Sequence, residues 1–159
     1  MDEARWHDER SQRSVVAQRL LTFMKAIADT GFIVAFRNRT DQHHAWAVDL
    51  ARQLDGPAFT CEAVLSEAAF HLGSSEAALT LVTSGMLRVA FDCAQNIEHL
   101  HDLAVRYADR KPDLADLCLI RMSELLPRHA VITIDDDFRG YRRNKREAIP
   151  LLCPPKTKK

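Results

Sequence analysis

The sequence predicts an α/β fold, a mostly parallel sheet with helices on both faces. Three observations predict it. Short apolar runs recur at residues 26–28, 58–60, 87–91, 130–134 and 148–152, a length that suits strands covered on both sides. Between them lie segments with apolar residues at helical spacing, the pattern of helices with one buried face. Strands alternating with helices give parallel pairing through right-handed crossovers, which brings the strand ends to one edge.

The chain has 159 residues, 47% of them hydrophobic and five of them glycine. That is enough for one globular domain with a real core. The 22 basic and 22 acidic residues cancel, so only their distribution can point to a partner. Cys61, Cys93, Cys118 and Cys153 are far apart and have apolar neighbours. They read as reduced core thiols of a cytoplasmic protein, not as zinc ligands or a disulfide framework. No apolar run approaches the ~20 residues of a membrane span. Residues 15–24 are broken by Gln18 and Arg19 and preceded by four acids, unlike a signal peptide.

Residues 1–23 carry four acids and four arginines before a weakly amphipathic piece with Val15, Val16, Leu20 and Leu21. Met24 reads as the start of the domain, and residues 1–23 as an upstream extension. The alternative is an N-terminal helix packed on the domain. Ala26, Ile27 and Ala28 form the first strand, which runs straight into Asp29-Thr30-Gly31. In open α/β sheets, ligands bind just beyond such strand ends. Residues 32–36 follow as a short helical turn. Asp41 can cap the next helix, where Ala47, Leu50, Ala51 and Leu54 share a face and His43-His44 lie at the surface of the first turn. Gly56-Pro57 ends it.

Residues 58–60 make the second strand. Val64, Leu65, Ala68 and Leu72 mark another helix, with Glu67 at the edge of its apolar stripe. Gly73-Ser74-Ser75 is a loop, with Ser75 a cap for a helix to about Thr83. Residues 87–91 are the third strand, and Ile97, Leu100, His101 and Ala104 the next helical stripe, ending near Asp109. Pro112 breaks the chain there, since the residue before a proline avoids helix. Residues 113–126 form the most apolar helix of the chain, so a central one, with Asp113 and Asp116 in its first turn; Pro127 stops it. The fourth strand, 130–134, delivers Asp135, Asp136 and Asp137. A basic segment follows, then residues 148–152 as an edge strand that tolerates Pro150, and a tail, 153–159, that frays. The domain thus spans 24–152.

This order brings Asp29, Glu67, Asp116 and Asp135 together. Several carboxylates in one place raise each other's pKa and oppose folding. A hard divalent cation relieves that. Mg²⁺ takes oxygen ligands, keeps several waters and leaves room for a phosphate. It can activate water and stabilise an in-line phosphoryl displacement. No serine, histidine or cysteine arrangement competes. Basic residues flank the acids: Arg139, Arg142, Arg143, Lys145 and Arg146 with Tyr141 among them, and Arg110 and Lys111 ahead of Asp113. They suit a polyanion whose neighbouring phosphates meet arginine, and Tyr141 could stack on an unpaired base.

Four stretches then carry a resemblance: Asp29-Thr30-Gly31, Val64-Leu65-Ser66-Glu67-Ala68, Pro112-Asp113-Leu114-Ala115-Asp116 and Ile132-Thr133-Ile134-Asp135-Asp136-Asp137-Phe138. In order and spacing the chain from Met24 to about Leu152 resembles the PIN-domain proteins, close to the VapC-type toxin ribonucleases. The resemblance implies a three-layer α/β/α fold on a central, mostly parallel sheet of about five strands. It implies catalytic Asp29, Glu67, Asp116 and Asp135, a Mg²⁺ or Mn²⁺ cofactor, and Thr30 and Thr133 as supporting polar groups. RNA would be the substrate, an antitoxin would cover the site, and a homodimer would be common. Asp113 stands beside Asp116 as an accessory ligand, Asp137 could share the metal with Asp135, and Glu62 is a rival to Glu67. Two other classes stay open: a non-catalytic PIN-like module that binds RNA or protein, and a receiver-like domain phosphorylated on Asp29, which lacks the expected acidic pair before that residue.

Overall fold

Ile27 is fully buried at the middle of a three-residue strand with a parallel neighbour on each side. The computed structural model describes residues 24–156, and the readings for residues 1–23 and for 157–159 lie outside them. In chain order the elements are β1 (Ala26–Ala28), α1 (Thr30–Arg37), α2 (His44–Ala51), β2 (Ala58–Thr60), α3 (Glu62–Leu72), α4 (Ser75–Thr83) and β3 (Leu87–Val89). Then come α5 (Ile97–Arg106), α6 (Leu114–Leu125), β4 (Ala130–Ile132), β5 (Arg142–Arg143), β6 (Glu147–Ala148) and β7 (Leu151–Leu152). Short 3₁₀ turns precede and follow α5, and a third, Asp136–Gly140, follows β4.

The main sheet has five strands in the order β3-β2-β1-β4-β7, every pairing parallel. From β1 the chain winds outward to β2 and β3, then returns to the other side of β1 as β4. The reversal falls between β1 and β4, so the crevice beyond their carboxyl ends is the position where such sheets bind ligands. Counted along the chain the sheet strands run 3-2-1-4-5. A receiver-like sheet runs 2-1-3-4-5, and this topology sets that reading aside.

The core forms around β1 and β4. Ala26, Ala28, Val131 and Ile132 are essentially inaccessible, and Phe32, Ile33, Leu119, Ile120 and Met122 cover them from the helices. Helix α6 is buried nearly all round, as its composition predicts, with Ala115, Leu117, Cys118, Leu119, Ile120, Met122 and Ser123 buried. Leu119 has no exposed surface. Leu119→Ala is expected to destabilise the domain by about 3 kcal/mol through lost burial and a residual cavity, read as a lower urea midpoint with unchanged slope.

Several boundaries differ from the sequence reading. The expected short turn at 32–36 is the helix α1, which begins at Thr30 because Asp29 caps it: the carboxylate accepts the Thr30 N–H at 2.6 Å. Ser74, not Ser75, caps α4, accepting from Ala77 N at 3.1 Å, after Gly73 ends α3 at φ +66°, a left-handed angle that favours glycine. Asp41 sits in the turn ahead of α2 and accepts the His43 N–H at 2.7 Å, leaving His43 in the cap position. On α5 the buried stripe is Leu100 and Leu103, while Ile97 is 57% exposed and His101 faces solvent. Strand β3 stops at Val89 and β4 at Ile132. The run 148–152 divides. Ala148 closes the antiparallel β5–β6 hairpin, and only Leu151–Leu152 add to the sheet edge, where Val131 N donates to Pro150 O at 2.8 Å and Thr133 N to Leu152 O at 3.1 Å. Proline lacks an N–H but keeps its carbonyl, so Pro150 serves as acceptor only.

Candidate active site

A cavity of about 360 Å³ opens at the β1–β4 crevice, lined by Asp29, Asp41, Glu67, Asp113, Asp116 and Asp135 with Thr30, Gly31, Val34, His71 and Ile134. The local sequence explains each placement. Asp29 ends β1, and its backbone N–H still pairs with Ile132 O at 3.1 Å, so the strand delivers the carboxylate to the edge. Thr30, the first residue of α1, donates its hydroxyl to Glu67 Oε2 at 2.8 Å and so ties α3 to α1. Thr133, fully buried just past β4, donates to Asp29 Oδ2 at 2.7 Å and accepts the Asp135 N–H at 3.0 Å. Asp135 lies three residues beyond the end of β4, not directly after it. Gly31 makes room for the β4 loop: a Cβ there would stand 2.5 Å from Ile134 Cγ1.

At the start of α6, Asp113 is the cap and accepts the Asp116 N–H at 2.8 Å. This is an N-terminal side-chain cap, and both side chains line the cavity. Of the alternatives at this end of the fold, Asp113 and Asp116 therefore both reach the cavity. Asp137 does not: it is exposed and its N–H donates to Asp135 Oδ1 at 2.8 Å. Nor do Glu62, exposed in the first turn of α3, or His43 and His44; His44 Nδ1 is 2.8 Å from Ala35 O.

The electrostatics are those of crowded acids. Burial pushes the Asp29 carboxyl above its ordinary pKa; the bonds from Thr133 and Thr30 oppose that, and Asp135 and Asp113 add to it. Burial likewise raises Glu67, against the Thr30 bond and with Asp113 and Asp29 reinforcing it. Asp116 is pushed up to about 7 by burial first, then by Asp113 and Asp29. The acids offer only oxygen donors, the chemistry a hard cation prefers. Among the described residues no group of three or more His, Cys, Asp or Glu closes tightly enough to hold a metal ion directly. Mg²⁺ fits such a site with one or two direct carboxylates and its own waters reaching the rest.

Thr133→Val keeps the shape but removes the donor to a buried carboxylate. It is expected to cost about 1–3 kcal/mol, measured by urea unfolding, and to raise the Asp29 pKa further.

The basic residues are dispersed rather than gathered at the acids. Tyr141 is only 3% exposed, its ring packed edge-on against Tyr107 and Phe138, so it offers no face to a base. Arg143 is consumed by structure: it bonds Glu147 Oε2 and the carbonyls of Ser123 and Pro127. The hairpin turn docks on the far end of α6, where Asn144 N donates to Glu124 Oε1 at 2.9 Å. Glu124 lies eight residues beyond Asp116, about 12 Å along the helix. Lys145 and Arg146 are exposed there, away from the acids, which corrects the expectation that the whole 139–146 run borders the site. Arg142 bonds the carbonyls of Arg139 and Tyr141. Arg139 is exposed and paired with Asp136 at 2.9 Å. Arg110 and Lys111 are exposed; the Arg110 guanidinium packs where a Cβ on Gly140 would fall and lies 5.9 Å from the Tyr141 ring centre.

His71, Asp41, Val34 and Ile134 were missed as cavity residues. For His71 the signal was available: it stands four residues after Glu67 on one helix, hence on the same face. Asp41 gave none beyond its turn role, because only the tertiary fold carries the α1–α2 turn to the cavity.

The family model of the PIN domain matches residues 26–144. Among solved structures, the chain is similar to Mycobacterium tuberculosis VapC20, described as a toxin that cleaves the sarcin–ricin loop. The TM-score is 0.64 at 22% identity, over 79% of this chain and 100% of that one. No curated protein matches the chain.

Proposed function

The chain belongs to the PIN-domain family, and from that membership we propose that it is a metal-dependent endoribonuclease, the toxin of a toxin–antitoxin pair. The observation that carries the reading is the convergence of Asp29, Glu67, Asp113, Asp116 and Asp135 on one cavity at the crevice between β1 and β4. Asp29, Asp116 and Asp135 are the proposed metal ligands, one or two of them bound directly and the rest, with Asp113 and Glu67, through the ion's waters. Bound there, Mg²⁺ or Mn²⁺ would supply water activation and neutralise charge on the phosphate. Thr30 and Thr133 hold Glu67 and Asp29 in orientation. Arg110, Lys111 and Arg139 are the basic residues best placed in the chain to meet flanking phosphates, because they adjoin the acidic turns. The resemblance to a VapC toxin supports RNA as substrate and an inhibitory protein partner; a homodimer is part of the same proposal, as an expectation for the family. No helix among the described residues is long and apolar enough to cross a membrane, and a cytoplasmic location accords with the free cysteines.

One observation favours a second reading, a non-catalytic module that binds RNA or protein: the acids are not closed on a point. The test is incubation of the protein with total RNA, with Mg²⁺ or Mn²⁺ and with chelator. Discrete metal-dependent fragments are expected. Intact RNA under every condition, with RNA retained in a binding assay, would leave the second reading in place.

A further inference from the structure

We propose that His71 donates the proton to the leaving oxygen of the cleaved phosphodiester, an inference that rests on the ribonuclease reading above. A phosphodiester cannot release a sugar alkoxide easily at neutral pH, so something must neutralise that oxygen as its bond to phosphorus breaks. Carboxylates that hold a cation are ionised and can only accept hydrogen bonds. Among the described side chains lining the cavity, that leaves two donors, Thr30 and His71. The Thr30 hydroxyl is buried and already donates to Glu67. His71 is exposed at the cavity and makes no hydrogen bond or ion pair among the described residues.

Its placement is built into α3. Glu67 and His71 are separated by four residues, so the imidazole stands next to the carboxylate on the same face. The Phe70 ring meets the imidazole edge-on, with centres 5.5 Å apart and planes at 75°. The exposed imidazole lines the same cavity as the acids, within reach of a phosphate seated among them.

The step balances as follows. Water attacks phosphorus and a P–O bond forms. The bond from phosphorus to the leaving sugar oxygen breaks, and that oxygen keeps the electron pair. The imidazolium N–H proton transfers to it and gives a free hydroxyl. The attacking water loses a proton to solvent, and the imidazole regains one from solvent.

The test compares the parent with His71→Gln on two RNAs, one all-oxygen and one with a bridging sulfur at the mapped scissile linkage. The sulfur is placed in turn on either side of phosphorus. Sulfur leaves as a stable thiolate and needs no proton. His71→Gln is expected to cleave the all-oxygen RNA about 10²-fold more slowly, and the RNA with the sulfur leaving group at about the parent rate. The rise in melting temperature on adding Mn²⁺ is expected to be the same in both proteins. Equal losses on both RNAs, or no loss on the all-oxygen RNA, overturn the proposal. So does loss of the Mn²⁺-induced rise in both His71→Gln and His71→Asn, since the residue would then only prop the cavity. A parent that cleaves no RNA with Mn²⁺ overturns the ribonuclease reading itself; a parent that cleaves beside an indifferent His71→Gln overturns this inference alone.

Discussion

Asp29→Asn is expected to lower metal-dependent RNA cleavage by about 10³-fold or more while the domain stays folded, because the several kcal/mol of transition-state stabilisation that a bound ion supplies would be lost. Asparagine can keep the local bonds. Its carbonyl can accept the Thr30 N–H as Asp29 Oδ1 does, and its amide can face Thr133 Oγ1, which has a spare lone pair. What disappears is the charge at the end of β1. Asp116→Asn is expected to give a loss of similar size. Glu62→Gln, outside the cavity, is the control and should cleave at the parent rate. The measurement is the initial rate on one RNA at fixed Mn²⁺, with circular dichroism to confirm folding. Undiminished cleavage by Asp29→Asn and Asp116→Asn would place the chemistry elsewhere.

The second large effect is on stability. Asp116 has a folded pKa of about 7 against an ordinary 3.8. A carboxyl raised in the folded state favours folding when protonated. That contribution is complete below about pH 4 and is lost as pH rises through about 7. Asp29 and Glu67 are raised as well, so they act in the same direction. In chelator, the melting temperature is therefore expected to fall between pH 5 and pH 8. Full linkage for Asp116 would be about 4 kcal/mol. The group is half open to water, and about 1–2 kcal/mol is the expected size after screening. Asp116→Asn should then melt about 3–6 °C above the parent at pH 8 in chelator, with a flatter pH dependence. Mn²⁺ should raise the melting temperature of the parent and do much less for the variant. A parent whose stability rises steadily from pH 5 to pH 8 without metal would show that the acids do not strain the fold.

Together these two results separate the readings. A nuclease loses activity and gains metal-free stability when an acid is removed. A binding module gains stability with no activity to lose. The trade is expected wherever like charges are held together for chemistry at the expense of the fold.

By itself the sequence determined the alternation of the sheet strands with helices, the burial of β1 and α6, and the edge at which Asp29 and the residues after β4 emerge. These follow from local pattern: apolar runs of strand length, helical spacing, and prolines and glycines that stop each element. The family motifs then singled out Glu67 among the acids of α3 and Asp135 beyond β4. Only the tertiary structure decided which side chains face one another. It drew Asp41 and His71 to the cavity, left Asp137 outside it, and turned Asp113 into the cap of α6. It also buried Tyr141 and moved Lys145 and Arg146 to the far end of α6, because the basic run folds back as a hairpin and bonds Ser123, Glu124 and Pro127. Charge in a linear sequence shows only that groups are neighbours along the chain. Whether they are neighbours in space depends on hydrogen bonds between segments distant in sequence, and those bonds carry no local signature.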